Sequence, residues 1–115
     1  MAEPQAIPEV SVDELAARLD DGDRAAATVI DVREPDEYTA GHVPSARPIP
    51  LGDIPDRGDE IPTGETVYFI CAVGARSLRA AELMAGRGVD GVNVTGGTRA
   101  WIDSGRDVVT GESPG

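Results

Sequence analysis

Apolar residues near the start of the chain recur with the period of a helix. Those at positions i, i+3, i+4 and i+7 are Val12, Leu15, Ala16 and Leu19. This spacing places side chains on one face of a helix. Ser11 precedes them and Glu14 follows it by three residues, which is the pattern of a capping box. The stretch SVDELAARLD therefore predicts an amphipathic helix.

Three short apolar runs further along have the composition of buried strands. They are ATVIDV at residues 27–32, TVYFI at 66–70 and GVNV at 91–94. We expect one or two helical turns in EPDEYTAGH, with Pro35 near the first helical position and Gly41 as the stop, and a last helix in GTRAWIDSG. Strands that alternate with helices favour an α/β fold, with a mostly parallel sheet covered on both faces.

A further helix is expected from Ser77 to Ala85. The residues predicted for its apolar face are Leu78, Ala81, Met84 and Ala85. The segment from Val43 to Glu65 holds five of the nine prolines and is expected to be a connector with a short strand or turn inside it. From Asp103 onward the tail is polar and is expected to fray at its end.

A chain of 115 residues is long enough for one domain, which we place at 1–115 with a core at about 7–110. Its net charge is −11, and its ten basic residues are all Arg. A chain this acidic repels phosphate backbones and anionic lipids, so neither nucleic acid nor a membrane is expected as a partner. No basic and apolar leader is visible, and no apolar run approaches the ~20 residues that span a bilayer. A cytoplasmic location is therefore expected.

The only cysteine, Cys71, lies between the strand TVYFI and the helix that follows, in CAVGARS. One cysteine excludes an intramolecular disulfide and a cysteine-based zinc site, and neither metal nor cofactor is expected. The free N–H groups and the dipole at a helix start stabilise an anion, and the thiolate is the nucleophilic form of cysteine. Gly74 permits the backbone angles that make N–H groups converge, and Arg76 adds a permanent positive charge.

Three ordered motifs resemble those of the single-domain rhodanese-like sulfurtransferases. CAVGARS is similar to the family's Cys-x-x-Gly-x-Arg-Ser loop, and IDVREPDEYTAGHVPSARPIPL to its Asp-x-Arg…Glu-Tyr…Gly-His-Ile-Pro-Gly-Ala stretch. VNVTGGTRAWIDSGRDVV resembles its Gly-Gly…Ala-Trp…Gly segment. The resemblance covers about residues 7–110. It implies a rhodanese-like fold, in which a five-stranded, mostly parallel sheet is flanked by helices on both faces.

The resemblance also implies transfer of a sulfane sulfur by double displacement, with Cys71 as the catalytic nucleophile. Its thiolate takes sulfur from a small donor, thiosulfate or a persulfide, and passes it to an external thiol or to cyanide. The loop implied to bind the substrate and the persulfide consists of Ala72, Val73, Gly74, Ala75, Arg76 and Ser77. Because the chain has no second cysteine, an acceptor thiol must come from outside, and a sulfur-relay protein is a candidate partner.

Other polar residues are given structural interpretations first. Asp31 and Arg33 are candidates for supporting the loop, but an ion pair that ties the strand end to the next loop is favoured. His42 is the only histidine, and the matching residue of the family is taken as structural. TGGT at 95–98 lacks the lysine and the spacing of a phosphate-binding loop, so it predicts a tight turn before the last helix.

The loop departs from the family at Ala72 and Val73, because many active relatives carry a cationic or polar residue after the cysteine. With Arg76 as the only charge in the loop, attraction for the thiosulfate dianion is expected to be weak, and a persulfide donor becomes an option. A docking or sulfur-carrier module without turnover is therefore kept as the alternative function. A phosphatase or arsenate reductase is disfavoured, because those enzymes have a longer loop than the four residues 72–75 found here.

Overall fold

The computed structural model describes residues 6–20 and 27–115. Within these ranges the strands are β1 (Glu9–Val10), β2 (Thr28–Asp31), β3 (Arg47–Pro48), β4 (Thr66–Ile70) and β5 (Asp90–Val94). They form one sheet in the order β1-β5-β4-β2-β3, and every pair of neighbours is parallel. The five-stranded parallel sheet expected from the sequence is confirmed.

Helices connect the strands in the same part of the chain. They are α1 (Val12–Asp20), α2 (Pro35–Ala40), α3 (Ile54–Arg57), α4 (Ala75–Ala85) and α5 (Gly97–Asp103), with 3₁₀ turns at Leu51–Asp53 and Gly58–Glu60. Among the residues described, no helix has both the length and the apolar character needed to cross a bilayer.

The core has two layers, one on each face of the sheet. The first layer includes residues of α1 and α5, and the second includes residues of α3 and α4. Neighbouring residues of β4 alternate between them, so that Tyr68 packs in the first layer and Phe69 in the second. Side chains of a strand point alternately to opposite faces, and a sheet covered on both faces therefore needs strands that are apolar throughout.

The local signals for α1 and α2 are confirmed. The Glu14 N–H donates to Ser11 Oγ at 3.1 Å, and the Ser11 N–H donates to the Glu14 carboxylate at 3.3 Å. The residues that α1 buries are Val12, Leu15, Ala16 and Leu19, as predicted. Pro35 is the first residue of α2, and Gly41 follows its last residue, again as predicted.

The predicted start and apolar face of α4 are partly wrong. The helix begins at Ala75 rather than Ser77, because Gly74 adopts a left-handed conformation (φ 107°) directly after the strand and turns the chain into the helix. Ala85 is exposed, although it was expected in the core, and Ala80 is buried instead. The buried residues of α4 are Ser77, Ala80, Ala81 and Met84. The buried face thus begins with a polar side chain close to the end of β4.

The apolar pattern does not predict β1 or α3. β1 has two residues and pairs with β5. The N–H groups of Asn93 in β5 and of Thr95 just after it donate to Pro8 O and Val10 O at 2.9 Å each. Too short to show a period, this strand depends on a partner far along the chain. α3 forms inside the proline-rich connector, which also contains the expected short strand as β3.

The C-terminal tail lies against α2 and the residues that follow it. The Gly111 N–H donates to Thr39 O at 2.9 Å. His42 is fully buried, and its two ring nitrogens lie 2.8 Å from Tyr38 O and 2.9 Å from Ser113 O. These contacts are consistent with a structural role for His42. The tail, expected to fray at its end, makes more contacts than its polar sequence indicates.

Asp31 and Arg33 form a buried ion pair where β2 ends. Arg33 Nε and Nη2 donate to the Asp31 carboxylate at 3.0 and 2.8 Å, and Nη2 also donates to Gly41 O at 2.9 Å. The pair therefore ties the end of β2 to the end of α2. Only 8% of the Arg33 side chain and none of the Asp31 side chain is exposed, so water does little to solvate either charge.

We expect Arg33→Leu to lower the free energy of unfolding by about 3–5 kcal/mol, because it leaves the Asp31 carboxylate buried without its partner. The control is Arg57→Leu, which removes the exposed partner of Glu60 and should change stability little. Urea unfolding followed by circular dichroism measures both variants. Equal, small losses in the two proteins would show that Asp31 does not depend on Arg33.

Candidate active site

Cys71 directly follows β4, a central strand of the sheet, and precedes the turn that starts α4. Only 1% of its surface is exposed. The thiol therefore lies at the carboxyl end of a parallel strand, the edge at which sheets of this kind bind ligands. The sequence placed Cys71 at this edge because the apolar run of β4 and the helical pattern of α4 are both local signals.

Hydrogen-bond donors surround the sulfur of Cys71. The Gly74 N–H points to Sγ at 3.1 Å, and Ser77 Oγ lies 3.2 Å from Sγ. The left-handed conformation of Gly74 folds the loop back on itself, which is how an N–H three residues further along reaches the sulfur. The loop can therefore solvate a negative charge on sulfur without water.

The pKa of the Cys71 thiol is lowered from its ordinary value. Burial is the largest influence and acts to raise the pKa, because it disfavours the charged form. The Ser77 hydroxyl and the backbone N–H groups of Ser77, Gly74 and Val73 together outweigh it, because each favours the thiolate. Since the thiolate is the reactive form, this environment is suited to a nucleophile.

Arg76 is paired with a carboxylate. Its Nη1 and Nη2 donate to the two oxygens of Glu37 at 2.7 and 3.0 Å, which joins α4 to α2. The hydrogen bond from Arg76 is the main cause that lowers the pKa of Glu37 to about 2. The sequence analysis missed Glu37 as a site residue, although it lies in the Glu-Tyr motif. The only positive charge of the loop is thus largely neutralised.

The start of α5 holds the loop from outside. The N–H groups of Thr98 and Arg99 donate to Cys71 O at 2.8 Å and Ala72 O at 3.0 Å. Gly97 makes this approach feasible, since its φ is +59° and a Cβ there would lie 2.4 Å from Cys71 O. Thr95 and Gly96 form the predicted turn before the helix, whereas Gly97 and Thr98 already belong to α5. This start of α5 also anchors the candidate active loop, which the sequence did not indicate.

Asn93 is a second residue near the sulfur that the sequence analysis missed. It lies on β5, and its side-chain oxygen is 2.6 Å from Ser77 Oγ. Its amide nitrogen donates to Gly74 O at 3.2 Å and to Glu9 Oε2 at 3.0 Å. A polar residue inside an otherwise apolar strand, next to the strand that ends in Cys71, is the signal that could have identified it.

The other site residues predicted from the sequence differ in their exposure and in their partners. Ala72 is half-buried, Ala75 is exposed, and Val73 exposes 65% of its surface. Asp31 and Arg33 hydrogen-bond to each other at the end of β2, and their charges act on the Arg76–Glu37 pair from a distance. In residues 6–20 and 27–115, no three His, Cys, Asp or Glu side chains are grouped so that they could hold a metal ion.

The fold and this cysteine loop are those of a known class. The family model of the rhodanese-like domain matches residues 11–104, and the chain belongs to that family. A protein of Allochromatium vinosum named "Sulfurtransferase" is 34% identical over 107 residues, an alignment that covers 92% of this chain and 98% of that protein.

Other relatives agree with this assignment. "Putative sulfur carrier protein YrkF" of Bacillus subtilis is 36% identical over 96 residues, which are 83% of this chain. The chain spans only about half of that relative, 51% of its length. The crystal structure of a rhodanese-related protein from Thermoplasma volcanium is similar with a TM-score of 0.80 and 30% identity, covering 90% of this chain and 99% of that one.

We expect Gly97→Ala to destabilise the protein and to change the reactivity of Cys71. The left-handed φ alone costs about 1–2 kcal/mol for a residue with a Cβ, and the new atom would also displace Cys71 O. Gly64→Ala is the matched control, because Gly64 has φ +83° and open space around a Cβ. Denaturant unfolding and the rate of Cys71 alkylation against pH measure the two effects. Should folded Gly97→Ala protein keep wild-type alkylation, α5 does not fix the loop.

Proposed function

We propose that this protein is a sulfurtransferase that carries a sulfane sulfur as a persulfide on Cys71. The observation that supports it best is the set of donors around a buried sulfur: the Ser77 hydroxyl and the Gly74 N–H lie within hydrogen-bond distance of Sγ. A site built this way favours a thiolate before transfer. After transfer, the other N–H groups of the loop 72–77 are the candidates to bind the negatively charged outer sulfur of the persulfide.

The reaction proceeds in two displacements. The Cys71 thiolate attacks the outer sulfur of the donor, a new S–S bond forms, and the old bond to that sulfur breaks. With thiosulfate, sulfite leaves with the electron pair of that bond; with a persulfide donor, a thiolate leaves. In the second step an external thiolate or cyanide attacks the outer sulfur of the Cys71 persulfide, and the Cys71 thiolate is the leaving group.

A persulfide is the donor that the loop favours over thiosulfate. Thiosulfate is a dianion, and the only cation of the loop, Arg76, already binds Glu37 through two hydrogen bonds. Val73 adds an exposed apolar side chain beside the cysteine. The acceptor is external, because Cys71 is the only thiol in the chain, and a thiol of a small molecule or of a relay protein meets that need.

The second candidate is a carrier or docking module that holds sulfur without appreciable turnover. The neutralised Arg76 supports it, because weak attraction for small anionic donors would limit turnover. One Bacillus subtilis relative is named as a sulfur carrier, which also favours this reading. Phosphoryl transfer fits less well, because an arginine engaged with Glu37 is not free to bind a phosphoryl group.

The first test is sulfur loading. Reduced protein incubated with glutathione persulfide, or with thiosulfate, should gain one sulfur atom by intact mass, and loading by the persulfide should be faster. Cyanide should then release thiocyanate repeatedly. Cys71→Ser should take up no sulfur while the protein still folds, because the hydroxyl can occupy the place of the thiol and accept from the same donors but is not a sulfur nucleophile.

The outcomes separate the two candidates. Loading with repeated thiocyanate release supports the sulfurtransferase, whereas loading without repeated release supports the carrier. Uptake of sulfur by the Cys71→Ser variant would overturn both. No uptake from either donor by a folded wild-type protein with an alkylatable thiol would leave a docking module.

Glu37→Gln tests the charge argument for the donor. It should release the Arg76 guanidinium from its ion pair and lower the KM for thiosulfate severalfold, with little effect on the persulfide donor. The control is Glu60→Gln, which makes the same change in net charge at the Arg57 pair. Steady-state kinetics at two salt concentrations measure the effect. An unchanged KM for thiosulfate in Glu37→Gln would show that the Arg76 charge does not govern donor choice.

A further inference from the structure

Three polar side chains connect the sulfur of Cys71 to the edge of the sheet. Ser77 Oγ lies 3.2 Å from Sγ and 2.6 Å from Asn93 Oδ1. Asn93 Nδ2 lies 3.0 Å from Glu9 Oε2 on the edge strand β1. Ser77 and Asn93 are almost fully buried, so their hydrogen bonds come from the protein.

The orientation of the Asn93 amide is fixed by what surrounds it. Its nitrogen faces Glu9 Oε2 and Gly74 O, and both of these atoms can only accept hydrogen bonds. If the amide turned over, its oxygen would face two acceptors. The oxygen therefore faces Ser77, where it too can only accept.

Ser77 has a single hydroxyl proton and two candidates to receive it. While Cys71 is a thiol, every group is satisfied, because Ser77 donates to Asn93 and the S–H can donate to Ser77 Oγ. Once Cys71 is a thiolate, Sγ and Asn93 Oδ1 both compete for the same proton, so each receives a weaker hydrogen bond than it would receive alone. A persulfide ends this competition, because its negative charge lies on the outer sulfur.

We propose that Asn93 is a positioning residue that competes with the Cys71 sulfur for the Ser77 proton, weakens the hydrogen bond from Ser77 to the thiolate and thereby keeps the free thiolate a strong nucleophile. The proposal rests on the proposed function only in taking Cys71 as the nucleophile. A thiolate that receives fewer hydrogen bonds is more basic, and nucleophilicity rises with basicity. The charged groups around this chain of contacts are Glu9, on the Asn93 nitrogen, and Arg76 in its pair with Glu37.

The test is the alkylation of Cys71 by iodoacetamide over a range of pH. Asn93→Leu removes the competing acceptor and keeps the number and branching of the side-chain heavy atoms, so Ser77 can donate fully to the thiolate. The thiolate fraction well below the titration midpoint should increase roughly fivefold, which is less than a complete hydrogen bond to a charged group would give, because Ser77 already donates in part. The limiting rate at high pH should fall about twofold, because the thiolate is less nucleophilic. A residue that only stabilises the fold would not change both in these directions.

A double-mutant cycle shows whether Asn93 acts through Ser77. Ser77→Ala should raise the titration midpoint, because it removes a donor to Sγ, and adding Asn93→Leu to it should change nothing further. Asn93→Val, with a side chain that suits a strand, provides the same measurement if Asn93→Leu does not fold. A midpoint that stays or rises in the folded Asn93 variants overturns the proposal. So does an effect of Asn93→Leu that persists without Ser77.

A measurement on the unaltered protein completes the test. The side-chain NH₂ resonances of Asn93 should keep their positions in the NMR spectrum as Cys71 ionises, because the amide stays bound to Glu9 and Gly74. A large shift at the Cys71 midpoint would indicate that the amide turns over and donates to Ser77, which contradicts the proposal. Neither alkylation nor NMR needs a sulfur donor, so the result is independent of whether sulfur transfer occurs.

Discussion

The hydrogen bonds that converge on the buried sulfur of Cys71 are the interaction around which the site is built. Water reaches this sulfur little, so the protein itself must solvate a negative charge there. The donors come from the turn at Gly74 and from Ser77 at the start of α4. The loop can direct its N–H groups inward because its first carbonyls, those of Cys71 and Ala72, are held on the outside by α5.

The way in which the protein solvates the sulfur also explains the position of Arg76. Because backbone groups and a hydroxyl supply the donors, the guanidinium is free to bind Glu37 and to fix α4 against α2. The pKa of Glu37 falls from an ordinary 4.5 to about 2 on folding. A carboxylate whose pKa is lowered on folding stabilises the fold at pH values above its pKa in the unfolded chain. The contribution of this pair is therefore present at neutral pH and is lost as the pH falls from 4.5 towards 2. It is modest, because each side chain is about one-third exposed.

The sequence predicts what is local and misses what the topology assembles. Helix α1, strand β4 and the turn at Gly74 follow from patterns that span a few residues, and the resemblance of three motifs implies the five-stranded sheet. Glu37 and Asn93 reach the loop from other elements, across 39 residues to Arg76 and 16 to Ser77. A single sequence can mark Asn93 as a polar residue among apolar strand residues, but it contains no signal for the partners that these residues bind. Neither apolar period nor capping residue marks them, and only the order of the strands brings them together.

If Cys71 carries sulfur as proposed, the competition for the Ser77 proton bears on whether the protein turns over sulfur or carries it. The competition exists only while Cys71 is a free thiolate, so it raises the free energy of that state relative to the persulfide. When the free thiolate has a higher free energy, loading of sulfur from a donor becomes more favourable, and delivery of sulfur to an acceptor becomes less favourable by the same amount. On this proposal, Asn93 gives the free sulfur a high intrinsic reactivity and at the same time favours the loaded protein. A carrier needs this bias, whereas an enzyme that turns over must offset it with a reactive acceptor.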